Sequence, residues 1–282
     1  MRVLMSAAAG PVAPGIIRHL QKLGHFVIGH DCNPHGAGAA MCDEFHQSQR
    51  VSENPKAYVD LIRSIEHDAY LARIDEELRY CSVSPLNLAT IRIFTSKIAQ
   101  QSALWDAGLP VAPRARGIDI AVMKPDRGRG SRVTVLPPYT RVPGEYLYQR
   151  KIFGTEYTVD ILTDMKGVFL YAVPRQRLEA SSVSLVAKVD MSEDLIDIAK
   201  RLCKAFTFAG PINMQLILDQ ETNEPFIIEV NARLSGSCMF TVMAGFDILD
   251  ATVRLHQGLP FVPPKAVRET MFRRYFVEEE IR

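Results

Sequence analysis

The segment Phe226–Arg233 carries polar side chains at every second position: Glu229, Asn231 and Arg233. If a strand continues through all three, its side chains alternate between faces, and these residues line one face at steps of about 7 Å. Carboxylate and amide oxygens are ligands that suit Mg²⁺, and a guanidinium can hold a phosphoryl oxygen bidentately. The spacing predicts a site for a metal ion and a polyphosphate. An edge strand whose polar face meets water is the alternative.

A neighbouring strand is predicted over Gly210–Leu218, joined to the first by a polar turn at Asp219–Glu224. Its alternation places Asn213 and Gln215 on one face. Gln215 is therefore a further candidate oxygen ligand beside Glu229.

The segment Lys124–Arg132 is a second candidate site, with four cations and two glycines in nine residues after an apolar strand. Glycine lets backbone N–H groups approach an anion, and the cations neutralise it. The segment is not a P-loop, because GxxxxGK[ST] does not occur. A solvated basic turn and an RNA-contacting loop are alternatives, although neither a basic helix nor a run of aromatic residues accompanies it.

The first third of the chain alternates strands and helices. Strands are predicted at Val3–Met5 and Phe26–Ile28, with a helix between them that stops at Gly24. This is the βαβ pattern of a parallel sheet. An NAD-binding unit with Asp31 on the ribose is the rival interpretation, but the turn after the first strand lacks G-x-G-x-x-G.

Later elements follow from caps and periodicity. A helix is predicted from the Thr95–Ser96 cap to a stop at Gly108, and another after Ser192, whose apolar residues recur at helical spacing. The remaining predictions are a helix at Lys56–Ile65 and strands at Ile120–Met123, Tyr157–Leu162, Val168–Val173 and Pro225–Val230.

Composition excludes several classes of protein. The 282 residues are 47% apolar and 23% charged, as in an ordinary globular chain, with a formal net charge of +1 that gives no overall attraction to nucleic acid or membrane. No stretch approaches the ~20 apolar residues of a membrane span, and the N-terminal apolar run is interpreted as a strand rather than a signal peptide. Five cysteines without CxxC favour a reducing, cytoplasmic location.

Taken together, these motifs resemble the ATP-grasp superfamily, in the branch of the carbamoyl-phosphate synthase large chain. Lys97 and Lys124 are similar to the family's two basic phosphate-binding residues, and the segment after Lys124 resembles its glycine-rich lid. Glu156 resembles the glutamate that holds the ribose. Gln215, Glu229 and Asn231 match the metal positions, and Arg233 the phosphate position, in order and spacing.

The resemblance implies an α/β and α+β architecture. A Rossmann-like pre-ATP-grasp domain at 1–90 precedes a two-lobed ATP-grasp domain, with a small lobe at 91–150 that carries the lid and a large lobe at 151–282 that carries the metal site. It implies these nucleotide-binding residues: Lys97, Lys124, Arg127, Gly128, Arg129, Gly130, Ser131, Gln149, Arg150, Ile152 and Glu156.

The implied activity is ATP-dependent joining of a carboxylate to an amine, or to another nucleophile, through an acyl phosphate. Arg233 and Lys124 are the implied catalytic residues, and Arg175, Arg177 and Lys188 the implied substrate contacts. The cofactors are ATP and Mg²⁺, two ions, with Mn²⁺ as a substitute. The partners are a small carboxylic acid and a nucleophile, with a homodimer left open and with neither nucleic acid nor membrane expected. A non-catalytic or regulatory ATP-binding module of the same fold is the alternative.

This chain departs from the family pattern at three places. The hinge at Tyr148–Ile152 lacks the usual acidic residue, the lid has more arginines, and Gln215 stands where a carboxylate is common. The acidic run Asp75–Glu77 is expected either near the substrate or at a solvated helix start. The chain's end soon after Arg273–Val277 favours a compact ligase over a carboxylase.

Overall fold

A computed structural model describes residues 1–81, 88–128, 134–140, 142–180 and 184–276 of the chain. It contains three sheets of four, three and six strands, flanked by helices, which confirms the expected mixed α/β architecture. Within the described ranges, none of the helices has the combined length and hydropathy of a membrane span.

The first sheet is parallel, with the strand order β3-β2-β1-β4. The chain runs out from β1 to β3 and then returns to add β4 on the other side of β1. The carboxyl ends of β1 and β4 therefore flank the point where the strand order reverses, a common location for ligand sites in parallel sheets. The bounds are β1 Arg2–Ser6, α1 Ala13–Lys22, β2 Phe26–Asp31, β3 Glu44–Gln47, α2 Pro55–Ser64 and β4 Ala69–Leu71, with short 3₁₀ turns at Ala39–Met41 and Glu77–Arg79.

Strand β1 is buried on both faces, as expected for a central parallel strand. Val3 and Met5 pack on the α1 side, whereas Leu4 belongs to a separate cluster with Tyr58 of α2. Helix α1 ends at Lys22, and Gly24 follows its C-cap with a φ of +84°, in the left-handed region that glycine adopts without strain. The predicted βαβ unit is confirmed.

The small lobe combines two helices with a three-stranded antiparallel sheet of order β6-β5-β7. Ser96 caps its second helix through a hydrogen bond from the Ala99 N–H, and Gly108 follows the helix with a φ of +67°. Both predicted ends of that helix are confirmed. The bounds are α3 Leu88–Phe94, α4 Lys97–Asp106, β5 Ala121–Pro125, β6 Thr134–Leu136 and β7 Tyr146–Arg150.

The large lobe is built on a six-stranded sheet of order β12-β11-β8-β9-β10-β13, whose strand pairs are antiparallel. Helix α5 covers one face, with Leu195, Ile198 and Leu202 packed against residues such as Val159 and Met214. The bounds are β8 Gly154–Thr163, β9 Phe169–Ala180, β10 Ser184–Val189, α5 Glu193–Ala205, β11 Gly210–Asp219, β12 Pro225–Asn231, α6 Cys238–Ala244, α7 Ile248–His256 and β13 Met271–Arg273.

One hydrophobic cluster joins the first sheet to the large lobe. Val3, Met5 and Ile17 lie in the same buried cluster as Phe240 of α6 and Leu249 of α7. Because this core is shared, the carboxyl ends of the first sheet are held facing the large lobe. The predicted division at 150 falls between the second and third sheets, whereas the division at 90 falls within α3. As domain boundaries both stay predictions.

His30, near the end of β2, is buried without charge. It is 1% exposed and lies beside the rings of Tyr58 and Tyr70, with centroid distances of 5.3 and 6.1 Å. Its ring nitrogens lie 3.5 Å from the Ser48 hydroxyl and 3.4 Å from the Tyr70 hydroxyl. Burial lowers the pKa of His30 to about 4, while the charge of Asp31 opposes this shift.

This pKa predicts a pH dependence of stability. Unfolded His30, with a pKa of about 6.5, takes up a proton that the folded protein refuses until about pH 4. Stabilisation by His30 is therefore complete above pH 6.5 and is lost as the pH falls towards 4. Urea unfolding should show that the wild type loses about 2 kcal/mol more than His30→Gln between pH 7.5 and pH 5. Exposed His35 provides the control variant, His35→Gln, which should behave as the wild type; identical losses in wild type and His30→Gln would contradict the assignment.

Candidate functional site

A cavity of about 1010 Å³ lies between the three sheets. Its walls are the polar faces of β11 and β12, the small-lobe strands β5 and β7, and the carboxyl ends of the first sheet. Ten lysines or arginines but five aspartates or glutamates line it among the described residues. The near-neutral chain therefore concentrates positive charge in one cavity, and a cavity of this kind attracts an anionic ligand.

The register of β11 and β12 builds the row of polar side chains. Gln215 pairs with Glu229, and Asn213 with Asn231, so the two strands present four oxygen-bearing side chains to the cavity. Strand β12, predicted at Pro225–Val230, ends at Asn231 and does not continue to Arg233. The Arg233 guanidinium nevertheless turns back, and its Nη2 donates a hydrogen bond of 3.3 Å to Asn231 Oδ1.

A one-residue shift in this register positions Lys124. The pairing passes from Gln215–Glu229 to Leu216–Ile227, which leaves Ile228 without a pairing partner on β11. Such bulges often redirect groups beside functional sites. Here the Ile228 carbonyl accepts a hydrogen bond of 2.8 Å from Lys124 Nζ of β5. Burial lowers the pKa of Lys124, while neighbouring Glu229 raises it and Lys97 lowers it further.

Lys97, the first residue of α4, lies on the other side of Glu229. Its Nζ is 3.8 Å from Glu229 Oε1 and donates a hydrogen bond of 3.0 Å to the carbonyl of Gly128. Glu229 therefore lies close to two lysines. Both lysines face the polar row, where they can offset the charge of a polyphosphate.

The donor set fits Mg²⁺ that is shared with phosphate oxygens. The side chains of Glu229 and Gln215 form no hydrogen bonds with other described residues, so their oxygens are available, and Asn231 adds an amide oxygen. No cluster of three His, Cys, Asp or Glu ligands occurs within the described ranges. Mg²⁺ does not need one, because it keeps waters and substrate phosphates in its shell and binds through one or two carboxylates.

The expected nucleotide hinge forms another wall of the cavity. Gln149 is 3% exposed, and its Nε2 donates a hydrogen bond of 2.6 Å to Gln101 Oε1, so its amide nitrogen is committed to the protein. Glu156 is ion-paired with Arg177, and the Arg177 Nε also donates to the Ser184 hydroxyl. The expected ribose ligand is therefore fixed by an arginine that also lines the cavity.

Most of the predicted site residues converge on this cavity. Those that line it are Lys97, Lys124, Arg127, Gly128, Gln149, Arg150, Ile152, Glu156, Arg177, Gln215, Glu229, Asn231 and Arg233. Three lid residues, Arg129, Gly130 and Ser131, lie outside the described residues. The binding and catalytic roles of all these residues stay predictions.

Arg175 and Lys188, two of the predicted substrate contacts, are not placed to meet a ligand in the cavity. Arg175 is completely buried; its Nη2 lies 2.7 Å from Asp160 Oδ2 and donates to the Ser235 hydroxyl at 3.1 Å. Asp160 Oδ2 also accepts a hydrogen bond from Thr241. Arg175 is thus part of a buried ionic cluster between the sheet and α6. The Lys188 side chain is exposed on β10 and does not line the cavity.

The first sheet contributes groups that sequence patterns missed. Asp75 Oδ2 accepts a hydrogen bond of 2.7 Å from Arg233 Nε, across 158 positions of sequence. Its neighbour Glu77 is fully buried and accepts hydrogen bonds from Ser6, Tyr58 and two backbone N–H groups. The acidic run was expected either near the substrate or at a solvated helix start, and Asp75 and Glu76 line the cavity. The contact of Asp75 with Arg233 depends on tertiary structure that periodicity does not report.

The Asp31 carboxylate, the rival candidate for a ribose contact, accepts hydrogen bonds from the protein backbone. Its Oδ2 accepts from the Ala9 N–H at 3.2 Å and its Oδ1 from the Asn33 N–H at 3.1 Å. The carboxylate thereby closes the turn after β1, where an NAD-binding unit would hold pyrophosphate. This geometry argues against the dehydrogenase interpretation.

Comparisons with known proteins match parts of this chain by sequence. Residues 144–278 match the family described as ATP-grasp in the biosynthetic pathway with Ter operon. The arginine-specific large chain of mitochondrial carbamoyl phosphate synthase from Schizosaccharomyces pombe is 38% identical over 74 residues. That alignment covers 23% of this chain and 6% of the relative, so the chain matches a small part of it.

Solved structures agree over nearly the whole chain. N5-carboxyaminoimidazole ribonucleotide synthetase from Thermotoga maritima superposes with a TM-score of 0.68 at 15% identity, covering 94% of this chain and 78% of that one. The biotin carboxylase domain dimer of Hydrogenobacter thermophilus 2-oxoglutarate carboxylase, in complex with MgADP, ADP and bicarbonate, gives 0.70 at 17% identity, with 95% and 72% covered. The chain has the ATP-grasp fold, and the resemblance predicted from its motifs is confirmed.

The buried ionic cluster predicts that Arg175 contributes chiefly to stability. Arg175→Ala leaves Asp160 as a buried charge that has lost its ionic partner, which should lower the free energy of unfolding by about 3–5 kcal/mol. Lys188→Ala, on the exposed face of the neighbouring strand, should stay within about 0.5 kcal/mol of the wild type. Urea unfolding of both variants is the measurement. A stable Arg175→Ala protein that has lost activity would restore the substrate-binding interpretation.

Proposed function

We propose that this protein is an ATP-dependent ligase that activates a carboxylic acid as an acyl phosphate and joins it to an amine. The observation that carries the proposal is the row Gln215–Glu229–Asn231 with Arg233 at its end, opposed by Lys97 and Lys124 in one positively charged cavity. The ATP-grasp fold and the enzymes that share it support this reaction class.

The polar row and the two lysines have complementary tasks in this proposal. Bound Mg²⁺, held by Glu229 and Asn231 with Gln215 beside them, would neutralise the β and γ oxygens of ATP and orient the γ-phosphoryl group. Lys97 and Lys124 offset the charge of the other phosphate oxygens. Glu156, fixed by Arg177, accepts hydrogen bonds from the ribose hydroxyls.

The reaction then proceeds by two displacements. A carboxylate oxygen of the acid attacks the γ-phosphorus, the bond to the β-phosphate oxygen breaks, and ADP leaves. The neutral amine next attacks the acyl carbon, inorganic phosphate leaves, and the amine nitrogen loses a proton. Arg233, oriented by Asp75 and Asn231, stabilises the phosphoryl oxygens in both steps.

Several finer assignments belong to the same proposal. Two Mg²⁺ ions, substitution by Mn²⁺, a nucleophile other than an amine, and a homodimer all stay predictions. The single carboxylate of the polar row favours a site in which ATP itself supplies most of the negative charge around the metal. All five cysteines lie in the described residues and are free thiols, which supports a cytoplasmic location.

Glu229 is the residue whose replacement tests the metal site. Glu229→Gln keeps the size and one oxygen but removes the charge, so acid-dependent ADP release at saturating Mg²⁺ and ATP should fall by about 10²-fold or more. Apo stability should fall by up to about 1 kcal/mol, because Lys97 and Lys124 lose a counter-charge. Glu224→Gln, in the exposed turn between the same two strands, is the matched control and should leave both quantities unchanged. Undiminished turnover in Glu229→Gln would rule out the metal role.

Trapping with hydroxylamine tests the acyl phosphate directly. Hydroxylamine attacks an acyl phosphate and yields a hydroxamate, so no knowledge of the natural amine is needed. With Mg²⁺, ATP and a panel of small carboxylic acids, we expect hydroxamate and ADP in equal amounts for the acids that are accepted. Tight binding of AMP-PNP without acid-dependent ADP release for any member of the panel would instead support the non-catalytic ATP-binding module.

A further inference from the structure

Asp126 follows Lys124 by two residues and is 8% exposed. Its Oδ1 accepts a hydrogen bond of 2.7 Å from the Ser96 hydroxyl and one of 2.9 Å from the Ile98 N–H. Its own carbonyl accepts from the Lys97 N–H at 2.9 Å. One residue at the end of β5 therefore binds two consecutive N–H groups in the first turn of α4.

These contacts complete the cap of α4. Ser96 accepts from the Ala99 N–H with its hydroxyl, and its own N–H donates to the Ile93 carbonyl at 3.2 Å. With the Lys97 and Ile98 N–H groups bound by Asp126, all four N–H groups that a helix start leaves without helical partners are satisfied. The start of α4 is thus fully occupied by protein groups, and its position relative to β5 is fixed.

We call the contacts of Asp126 with Ser96, Lys97 and Ile98 the clamp. It joins α4 to β5, the two segments that carry the phosphate-facing lysines. Lys97 is the first residue of α4, and Lys124 belongs to β5. Lys97 Nζ lies 3.8 Å from Glu229 Oε1, and Lys124 Nζ donates a hydrogen bond to the carbonyl of the neighbouring Ile228. Releasing α4 from β5 would free the Lys97 ammonium to move relative to Lys124 and Glu229.

We propose that Asp126 is a positioning residue that acts through Lys97: by clamping the first turn of α4 to β5, it sets the Lys97 ammonium for the nucleotide phosphates. The inference rests on the ATP-binding part of the proposed function. Asp126 itself contacts no phosphate in this assignment. The Nε of its neighbour Arg127 lies 3.6 Å from Asp126 Oδ2, and the Arg127 side chain is largely exposed to solvent.

A role through Lys97 has a signature that general destabilisation lacks. Asp126→Ala should weaken binding of Mg²⁺ and AMP-PNP about tenfold, the scale of one charge-assisted contact, and should leave adenosine binding within about twofold. In a Lys97→Ala background the same change should have less than about twofold effect on AMP-PNP, because the group that it positions is gone. Isothermal titration calorimetry on the four proteins of this double-mutant cycle, each checked for folding by circular dichroism, gives the answer.

Two further variants separate geometry from charge and from stability. Asp126→Asn keeps an oxygen that can accept from Ser96 and Ile98, and should retain AMP-PNP affinity within about threefold. Asp247→Ala removes a capping aspartate from α7, where Asp247 accepts from the Asp250 N–H. This matched control should lower the melting temperature without changing AMP-PNP affinity.

Each outcome decides the matter. Additive effects of Asp126→Ala and Lys97→Ala, an equal loss of adenosine binding, or an Asp126→Asn protein as weak as Asp126→Ala would overturn the positioning role. If the wild type binds AMP-PNP and the double-mutant cycle shows coupling, but no hydroxamate forms, the ligase proposal is refuted and this inference stands. A wild type that does not bind AMP-PNP would refute both.

Discussion

The one-residue shift between β11 and β12 is the constraint on which the site depends. Regular alternation would place Ile227 on the same face as Glu229. Because Ile228 is left without a pairing partner, Val230 and Ile227 both point into the α5 core, and both are completely buried. Burying each of these side chains contributes about 1.5–3 kcal/mol, so the register is fixed by the core. Glu229 and Asn231 face the cavity as a consequence.

The same one-residue shift offsets part of the cost of burying Lys124 in the wall of the cavity. An ammonium removed from water is costly, and burial lowers the pKa of Lys124 accordingly. The displaced Ile228 carbonyl and the nearby Glu229 carboxylate offset part of that cost. Two other cations of the cavity are held by carboxylates, Arg233 by Asp75 and Arg177 by Glu156. Cations already oriented by the protein need little reorganisation when an anion binds, which is the condition for electrostatic stabilisation of a developing charge.

Sequence patterns predicted the elements whose signals are local. Ser96 and Gly108 mark the ends of α4 because a cap and a left-handed stop depend on a few neighbouring residues. The alternation of side chains along a strand could not distinguish Arg175 from Arg177, which are two positions apart and therefore share a face of β9. Arg175 is buried with Asp160 and donates a hydrogen bond to the Ser235 hydroxyl, whereas Arg177 lines the cavity. The edge of the cavity is set by the segment with Ser235 and α6, which covers part of the sheet. The alternation of side chains along β9 does not report that contact.

The buried carboxylate of Glu77 shows how the first sheet contributes to a site built mainly by the other two. Burial raises the pKa of Glu77, whereas the hydrogen bonds from Ser6 and Tyr58 lower it. Two further hydrogen bonds, from the N–H groups of Arg73 and Ile74, fold the chain after β4 around this carboxylate. Asp75 lies within that turn and holds Arg233. The shared core of α1, α6 and α7 brings the turn against the large lobe, so hydrophobic packing far from the cavity determines where the guanidinium lies. Arg233 of the large lobe thus owes its orientation to a carboxylate in the turn after β4, which is why motif order could single out Arg233 as a candidate while its partner emerged only from the tertiary structure.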